Sequence, residues 1–142
     1  MSTVAASRVE LRIPARPEFV AVARMAVKAV ASRMPFGIEA LEDITLASAE
    51  ACTNAIEHVP VDPRGTEPDI RIWLSLEADQ LVVEVQDRGV GRDIGFEPVP
   101  PVLEELPESG YGLLLIQALM DDLRWDINSE GTTVRMTKRL AR

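Results

Sequence analysis

The most informative stretch of this 142-residue chain is Ser48-Ala49-Glu50-Ala51-Cys52-Thr53-Asn54-Ala55-Ile56. It lies in a run from Ile38 to Val59 that we predict to be a helix. The proline that follows this run disfavours helical geometry in the residue before it and so ends the helix. In a helix, Glu50, Asn54 and His58 fall at i, i+4 and i+8, so their side chains share one stripe. The helix therefore presents a carboxylate, an amide and an imidazole together.

The residues that surround this polar stripe on the helix are almost all apolar. The ordinary interpretation of such a stripe is a solvated helix face. Its neighbours on the helix, however, are Leu46, Ala47, Ala49, Ala51, Cys52, Ala55 and Ile56. A carboxylate and an amide among small apolar residues need partners, because burying them unpaired costs free energy. We therefore favour a functional role for Glu50 and Asn54.

The periodicity of the rest of the chain predicts a single α/β domain. The predicted elements are a strand at 9–15, a helix from Pro17, the helix at 38–59, strands at 70–76 and 81–85, a helix at 112–121, and strands at 125–127 and 134–136. This order suits a two-layer α/β sandwich with a mixed, mostly antiparallel sheet and helices on one face. We expect one domain over residues 1–142, with an ordered core at about 9–140.

One long segment, 92–111, has no periodicity and contains several prolines and acidic residues. A compact domain seldom includes so long an irregular segment without a use for it, so we predict a lid over a site. The alternative is a surface excursion that has no function.

Three glycine-containing motifs follow the second helix. They are Asp87-Arg88-Gly89-Val90-Gly91, Ser109-Gly110-Tyr111-Gly112-Leu113 and Gly131-Thr132-Thr133. The first ends a predicted strand, where glycines let the backbone approach a flat ligand and a carboxylate can accept an adenine amino hydrogen. The second begins a predicted helix, where unpaired N–H groups favour phosphate. Each motif alone is also ordinary turn chemistry.

The composition excludes some classes of protein. The net charge is −8, which argues against nucleic-acid binding because phosphate contacts need a clustered basic surface. The single cysteine, Cys52, permits no internal disulfide and is expected to be a buried, inert thiol. No run of about 18 apolar residues is free of charge and no signal peptide is evident, so we expect a cytoplasmic protein without membrane contact.

Taken in order, the motifs resemble those of one nucleotide-binding superfamily. The pattern Glu50-x-x-x-Asn54, Asp87-x-Gly89-x-Gly91, Gly110-x-Gly112 and Gly131-Thr132 is similar to the N box and three glycine boxes of the GHKL (Bergerat-fold) ATPases. Within that superfamily the chain most resembles the short anti-sigma-factor serine kinases of the sporulation and general stress pathways.

The resemblance implies a site for ATP and Mg²⁺. Asn54 would hold Mg²⁺, and Glu50 would act as general base toward a serine hydroxyl that attacks the γ-phosphate. His58 would order Glu50 or the metal-bound waters; alternatively, it ends the helix favourably as a cation. The other residues implied to bind the nucleotide are Asp87, Gly89 and Gly91 around adenine, Gly110, Tyr111, Gly112 and Leu113 around the phosphates, and Thr132 or Thr133 through water.

The resemblance also implies protein partners. The chain would phosphorylate a STAS-type anti-anti-sigma protein on serine and sequester a sigma factor, and a homodimer is left open. One departure is Pro107-Glu108, because relatives often carry a basic residue just before the second glycine box. The alternative function is therefore a nucleotide-gated regulatory binding module without phosphotransfer.

Overall fold

The computed structural model describes residues 7–57, 68–87, 111–128 and 131–141. Within these ranges the chain forms three α-helices and five strands, and a 3-10 turn at Pro17–Phe19 precedes the first helix. In chain order the elements are β1 (Ser7–Pro14), α1 (Val20–Ala31), α2 (Ile38–Glu57), β2 (Asp69–Leu76), β3 (Gln80–Asp87), α3 (Tyr111–Leu119), β4 (Asp122–Asn128) and β5 (Gly131–Arg139).

The five strands form one sheet in the order β1-β2-β3-β5-β4. The predicted α/β sandwich is confirmed. A mixed sheet would need at least one parallel pair of strands, whereas all pairs among the described strands are antiparallel. Two helices, rather than one, separate β1 from β2, so the chain re-enters the sheet from the end at which it left. β3 and β4 are connected by the single helix α3 and run in the same direction, but they do not pair because β5 lies between them.

The helices pack on one face of the sheet. Alternate strand residues are buried on this face, among them Ile72 of β2 and Val83 of β3. The side of α2 that packs into the same core consists of small residues such as Ala47, Ala51 and Cys52. Their size lets the helix lie close to the strands. The opposite face of the sheet, called the outer face below, is not covered by any helix of the described residues.

Contacts at the two ends of the sheet fix the direction of the helices. At one end Asp87, the last residue of β3, pairs with Thr132 at the start of β5. At the other end Nζ of Lys138 lies 3.5 Å from Oδ2 of Asp43 on α2 and donates a hydrogen bond of 2.6 Å to the backbone oxygen of Leu119 on α3. The start of α2 and the end of α3 therefore lie far from Asp87, whereas the second half of α2 and the start of α3 lie near it.

Most predicted elements are confirmed, with small changes of length. The last hairpin is longer than predicted. The charged residues of 122–128 occupy alternate positions that face outward, so the sequence shows too few apolar residues to indicate the full length of this strand. Residues 58–67 and 88–110 lie outside the described residues, and with them the end of the predicted second helix and most of the predicted lid. None of the described helices is both long and apolar enough to cross a membrane.

Cys52 is fully buried on α2, as the sequence predicted. Burial raises the pKa of its thiol to about 12, because removal from water disfavours the charged thiolate. The thiolate is the reactive form, so this side chain acts as a small apolar core residue.

Ser48 is a buried polar residue that we expect to lower the stability of the core. Its side chain is 1% exposed, and its hydroxyl has no hydrogen-bond partner among the described residues. A buried hydroxyl without a partner is destabilising, and alanine is the better helix former. We therefore expect Ser48→Ala to raise the free energy of unfolding by about 1 kcal/mol, measured by urea denaturation.

Thr45 provides the control for this substitution. Its Oγ1 donates a hydrogen bond of 2.7 Å to the backbone oxygen of Leu41 on the same helix. Thr45→Ala should leave stability nearly unchanged, because the lost hydrogen bond offsets the gain in helix propensity. A loss of stability in Ser48→Ala would show that the hydroxyl is satisfied.

Candidate nucleotide-binding site

Glu50 and Asn54 lie together on α2, against the start of α3. Both side chains are half-buried and stand one helical turn apart, as their spacing predicted. A Cβ atom placed on Gly112 would lie 3.0 Å from Oε2 of Glu50 and 3.1 Å from both Oδ1 and Nδ2 of Asn54. The structure therefore brings together a carboxylate, an amide and a glycine that belong to two separate motifs of the sequence.

Space, rather than backbone conformation, explains the glycine at this position. Gly112 is helical, and positive φ occurs within the described residues only at Gly131, where φ is 136°. A methyl group on Gly112 would crowd both neighbouring side chains, whereas its absence lets the backbone of α3 approach them. The first turn of a helix also has unpaired N–H groups and a positive dipole end, which favour an anion such as phosphate.

Asp87 provides a second carboxylate at the same end of the sheet. Only 4% of its surface is exposed. Its Oδ1 accepts a hydrogen bond of 3.3 Å from the backbone N–H of Thr132. The two residues are register partners on β3 and β5, so their side chains lie on the face of the sheet that the helices cover. The hydrogen bond fixes the orientation of a carboxylate that could recognise a ligand.

Thr133 faces the other way. Its Oγ1 accepts a hydrogen bond of 3.3 Å from Nε2 of Gln86, and both side chains lie on the outer face. Successive residues of a strand alternate between faces, and this alternation separates the two threonines. Of the two candidates that the sequence left open, Thr132 is on the side of Asp87. The structure thus places Thr133 on the outer face, away from Asp87.

The oxygen donors of α2 fit a magnesium ion that is bound mainly through phosphate. No cluster of three or more His, Cys, Asp or Glu side chains able to hold a metal occurs in the described part of the chain. Mg²⁺ usually keeps several waters and binds through one or two protein oxygens together with substrate phosphates. The amide oxygen of Asn54 beside the carboxylate of Glu50 is a donor set of that kind.

Of the remaining predicted site residues, only Tyr111 and Leu113 lie in the described part of the chain. His58, Gly89, Gly91 and Gly110 lie outside the described residues. Tyr111 is the first residue of α3. The half-buried side chain of Leu113 packs against the core and so helps to hold α3 in place.

The sequence contained a signal that would have separated Thr132 from Thr133. Val134 and Met136 are apolar and alternate along the same strand, so residues of that parity face the core, and Thr132 is one of them. No comparable signal pointed to Gln86, because nothing in its own strand shows which threonine lies opposite.

This architecture and site define a nucleotide-binding domain, and residues 13–138 match the family described as histidine kinase-like ATPase domain. The serine-protein kinase RsbW of Bacillus cereus is 39% identical to this chain, over 95% of the chain and 86% of the relative. That of Oceanobacillus iheyensis is 38% identical, over 94% of the chain and 87% of the relative. The chain belongs to the RsbW family of this domain class, and it is therefore a GHKL-type protein kinase that uses ATP.

Two solved structures share the fold. The RsbU and RsbW domains of Rv1364c from Mycobacterium tuberculosis superpose with a TM-score of 0.66 at 20% identity, covering 96% of this chain and 33% of that one. The histidine kinase domain of a blue-light activated kinase from Erythrobacter litoralis gives a TM-score of 0.57 at 18% identity, covering 99% and 66%. At these identities the likeness concerns the fold alone.

Gly112→Ala tests the close approach of α3 to α2. Alanine favours a helix over glycine by about 1 kcal/mol, so the melting temperature should not fall. The added methyl group should displace Glu50 and Asn54 and weaken Mg-ATP binding or phosphate transfer by about tenfold or more. Calorimetric titration and thermal melting measure the two effects. Gly37→Ala is the control for nucleotide binding, because a Cβ there meets no atom within 4 Å.

Substitution of the two threonines tests which face of β5 serves the nucleotide. Thr132→Val should weaken ATP binding by about fivefold through loss of one hydroxyl on the Asp87 side. Thr133→Val makes the same replacement on the outer face and should leave the affinity for ATP unchanged. Equal losses of ATP affinity in both variants, measured by calorimetry, would contradict the prediction that only the Asp87 side of β5 serves the nucleotide.

Proposed function

We propose that this chain binds ATP with Mg²⁺ and transfers the γ-phosphate to a serine of a STAS-type anti-anti-sigma protein. In the same proposal it also sequesters a sigma factor in the cytoplasm, so that the two partners compete for it. Membership of the RsbW family supports the kinase part. We further propose that residues 1–142 form one nucleotide-binding domain.

The close approach of Gly112 to Glu50 and Asn54 is the observation that carries the kinase proposal. Phosphoryl transfer depends on positioning and charge neutralisation, with one carboxylate near the incoming hydroxyl. The start of α3 offers a phosphate-binding helix terminus, and α2 places a carboxylate directly beside it. One packing contact thus joins the group that would activate the nucleophile to the segment that would hold the phosphates.

Four side chains in the described part of the site have a proposed role in this reaction. The amide oxygen of Asn54 would hold Mg²⁺, which supplies positive charge to the phosphates when it is bound. Glu50 would orient the serine hydroxyl and accept its proton as the bond from the serine oxygen to the γ-phosphorus forms and the bond to the β–γ bridging oxygen breaks, which releases ADP. Asp87 would accept the adenine amino hydrogen, and Thr132 would support it through water.

The residues outside the described ranges keep the roles that the family resemblance implies. Gly89 and Gly91 would leave room for the base, and Gly110 would bind phosphate beside Tyr111. His58 would order Glu50 or the metal-bound waters.

A phosphate-transfer assay with matched variants tests this function. Purified protein, radiolabelled ATP and Mg²⁺ are mixed with a STAS-domain anti-anti-sigma protein of the same organism. Glu50→Ala should bind Mg-ATP nearly as well as wild type, yet its transfer rate should fall by about a hundredfold or more, because the general base is lost. Asn54→Ala and Asp87→Asn should weaken binding itself. Glu57→Ala, on the same helix, is the control and should change neither quantity.

The outcomes separate the kinase from its main rival. Nucleotide binding by wild type without transfer to the STAS protein would contradict the kinase proposal. That result would favour a nucleotide-gated binding module, an alternative consistent with the acidic Glu108 before the second glycine box. Absence of Mg-ATP binding would refute both functions for this chain.

A further inference from the structure

The row of side chains that includes Glu50 continues toward the start of α2. It is made of residues at every fourth position, which lie on one side of a helix. Its members are Glu42, Leu46, Glu50 and Asn54. Each step of four residues advances about 6 Å along the helix axis. Leu46 therefore lies about 6 Å from Glu50 along this axis and Glu42 about 12 Å, and neither has a role in nucleotide binding.

Leu46 has an uncovered apolar side chain in a part of the helix that is otherwise well packed. Its exposed fraction is 41%, whereas the apolar side chains from Ala47 to Ile56 are buried or half-buried. A single exposed leucine is ordinary on a protein surface. This one, however, lies one helical turn from a carboxylate that is proposed to act on a protein substrate. A protein segment that reaches Glu50 from solvent would lie beside it.

Glu42 provides a negative charge one turn beyond Leu46. It is exposed, and it forms no ion pair or hydrogen bond within the ranges that the structure describes. The helix itself has no lysine or arginine between Ile38 and Glu57. Lys138 approaches the helix from β5, but it is paired with Asp43 at 3.5 Å. The carboxylate of Glu42 is therefore available to a cation of another molecule.

The geometry of phosphate transfer determines the side from which the protein substrate approaches. The attacking oxygen and the leaving oxygen lie roughly in line, on opposite sides of the γ-phosphorus. In the proposed site the leaving ADP extends toward Asp87, which lies near the second half of α2. The serine must then approach from the opposite direction. On that side of Glu50, the row on α2 continues with Leu46 and Glu42.

We infer that Leu46 and Glu42, called the docking pair below, bind the segment of the protein substrate that carries the acceptor serine. Leu46 contacts an apolar side chain beside this serine, and Glu42 pairs with a lysine or arginine one helical turn further away. A segment with acidic residues in these places would be repelled by Glu42. The inference rests on the proposed kinase function and adds the chemistry by which the substrate is selected.

Leu46→Ser tests the apolar contact, with Leu114→Ser as its matched control. Leu114 has nearly the same exposed fraction, 40%, but lies two residues after Gly112 and thus on the side of α3 turned away from α2. Transfer from saturating Mg-ATP is measured against the concentration of the STAS-domain protein. The KM of Leu46→Ser for this protein should rise about tenfold with kcat nearly unchanged, because the lost contact serves binding alone. Leu114→Ser should match wild type.

Leu46→Met is the conservative variant in the same assay. Methionine is apolar and of similar volume, so the contact with the substrate is retained. Its KM for the STAS-domain protein should therefore equal that of wild type. A rise of KM in Leu46→Met as large as that in Leu46→Ser would contradict an apolar contact.

Glu42→Lys tests the charge, with Asp79→Lys as its control. Asp79 is exposed in the turn between β2 and β3, and its variant carries the same change of charge. Glu42→Lys should raise the KM for the STAS-domain protein about tenfold at low salt. The difference from wild type should shrink at high salt, because salt screens exposed charges. Asp79→Lys should leave the KM nearly unchanged, and an equal rise in both variants would overturn a specific pairing at Glu42.

Mg-ATP affinity and melting temperature distinguish docking from a disturbance of the nucleotide site. Both should keep wild-type values in Leu46→Ser and Glu42→Lys, since neither side chain belongs to the buried core or to the proposed nucleotide site. A fall of Mg-ATP affinity or of kcat together with the rise of KM would overturn the docking pair.

The proposed function and the docking pair fail in different ways. Absence of transfer by wild type would refute the proposed function and the docking pair with it. Transfer by wild type with an unchanged KM in Leu46→Ser would refute the docking pair alone. An equal rise of KM in Leu46→Ser and Leu114→Ser would do the same, because it would show a general effect of lost apolar surface.

Discussion

The close approach of α3 to α2 at Gly112 is the constraint on which the site depends. A side chain at that position would meet Glu50 and Asn54 at about the distance where atoms begin to repel. Because these groups lie close to the first turn of a helix, this one close approach would set both the proposed chemistry and the place where an anion can bind. The small residues of α2, such as Ala51 and Cys52, contribute by bringing the helix close to the strands.

The sequence predicted most of the elements because they carry a clear period. Strands with alternating apolar residues and helices with an apolar stripe must hide one face, and the core confirms this for β2, β3, α1 and α2. The polar stripe of Glu50 and Asn54 was predictable for the same reason. Strand order was not, because no local pattern states that β5 inserts between β3 and β4. The contact with Gly112 joins residues far apart in sequence, so only the resemblance to a family pointed to it.

The outer face shows what periodicity cannot reveal. Alternation predicts that Arg71, Arg124 and Arg135 face solvent, and exposed arginines are ordinary. Which side chains stand beside them depends on which strands are neighbours, since the sheet order places Glu84 of β3 opposite Arg135 of β5. A sequence therefore predicts that a residue is exposed more easily than it predicts what stands beside it.

The register between β3 and β5 finally determines what each face offers. Asp87 with Thr132 and Gln86 with Thr133 are successive pairs of one ladder, and they point to opposite faces. A shift of one residue would exchange the faces of every side chain on the shifted strand. The neighbouring pair Val85 and Val134 is buried in the core, so such a shift would expose apolar surface. Apolar packing, rather than the polar residues themselves, thus decides which threonine stands beside the buried carboxylate.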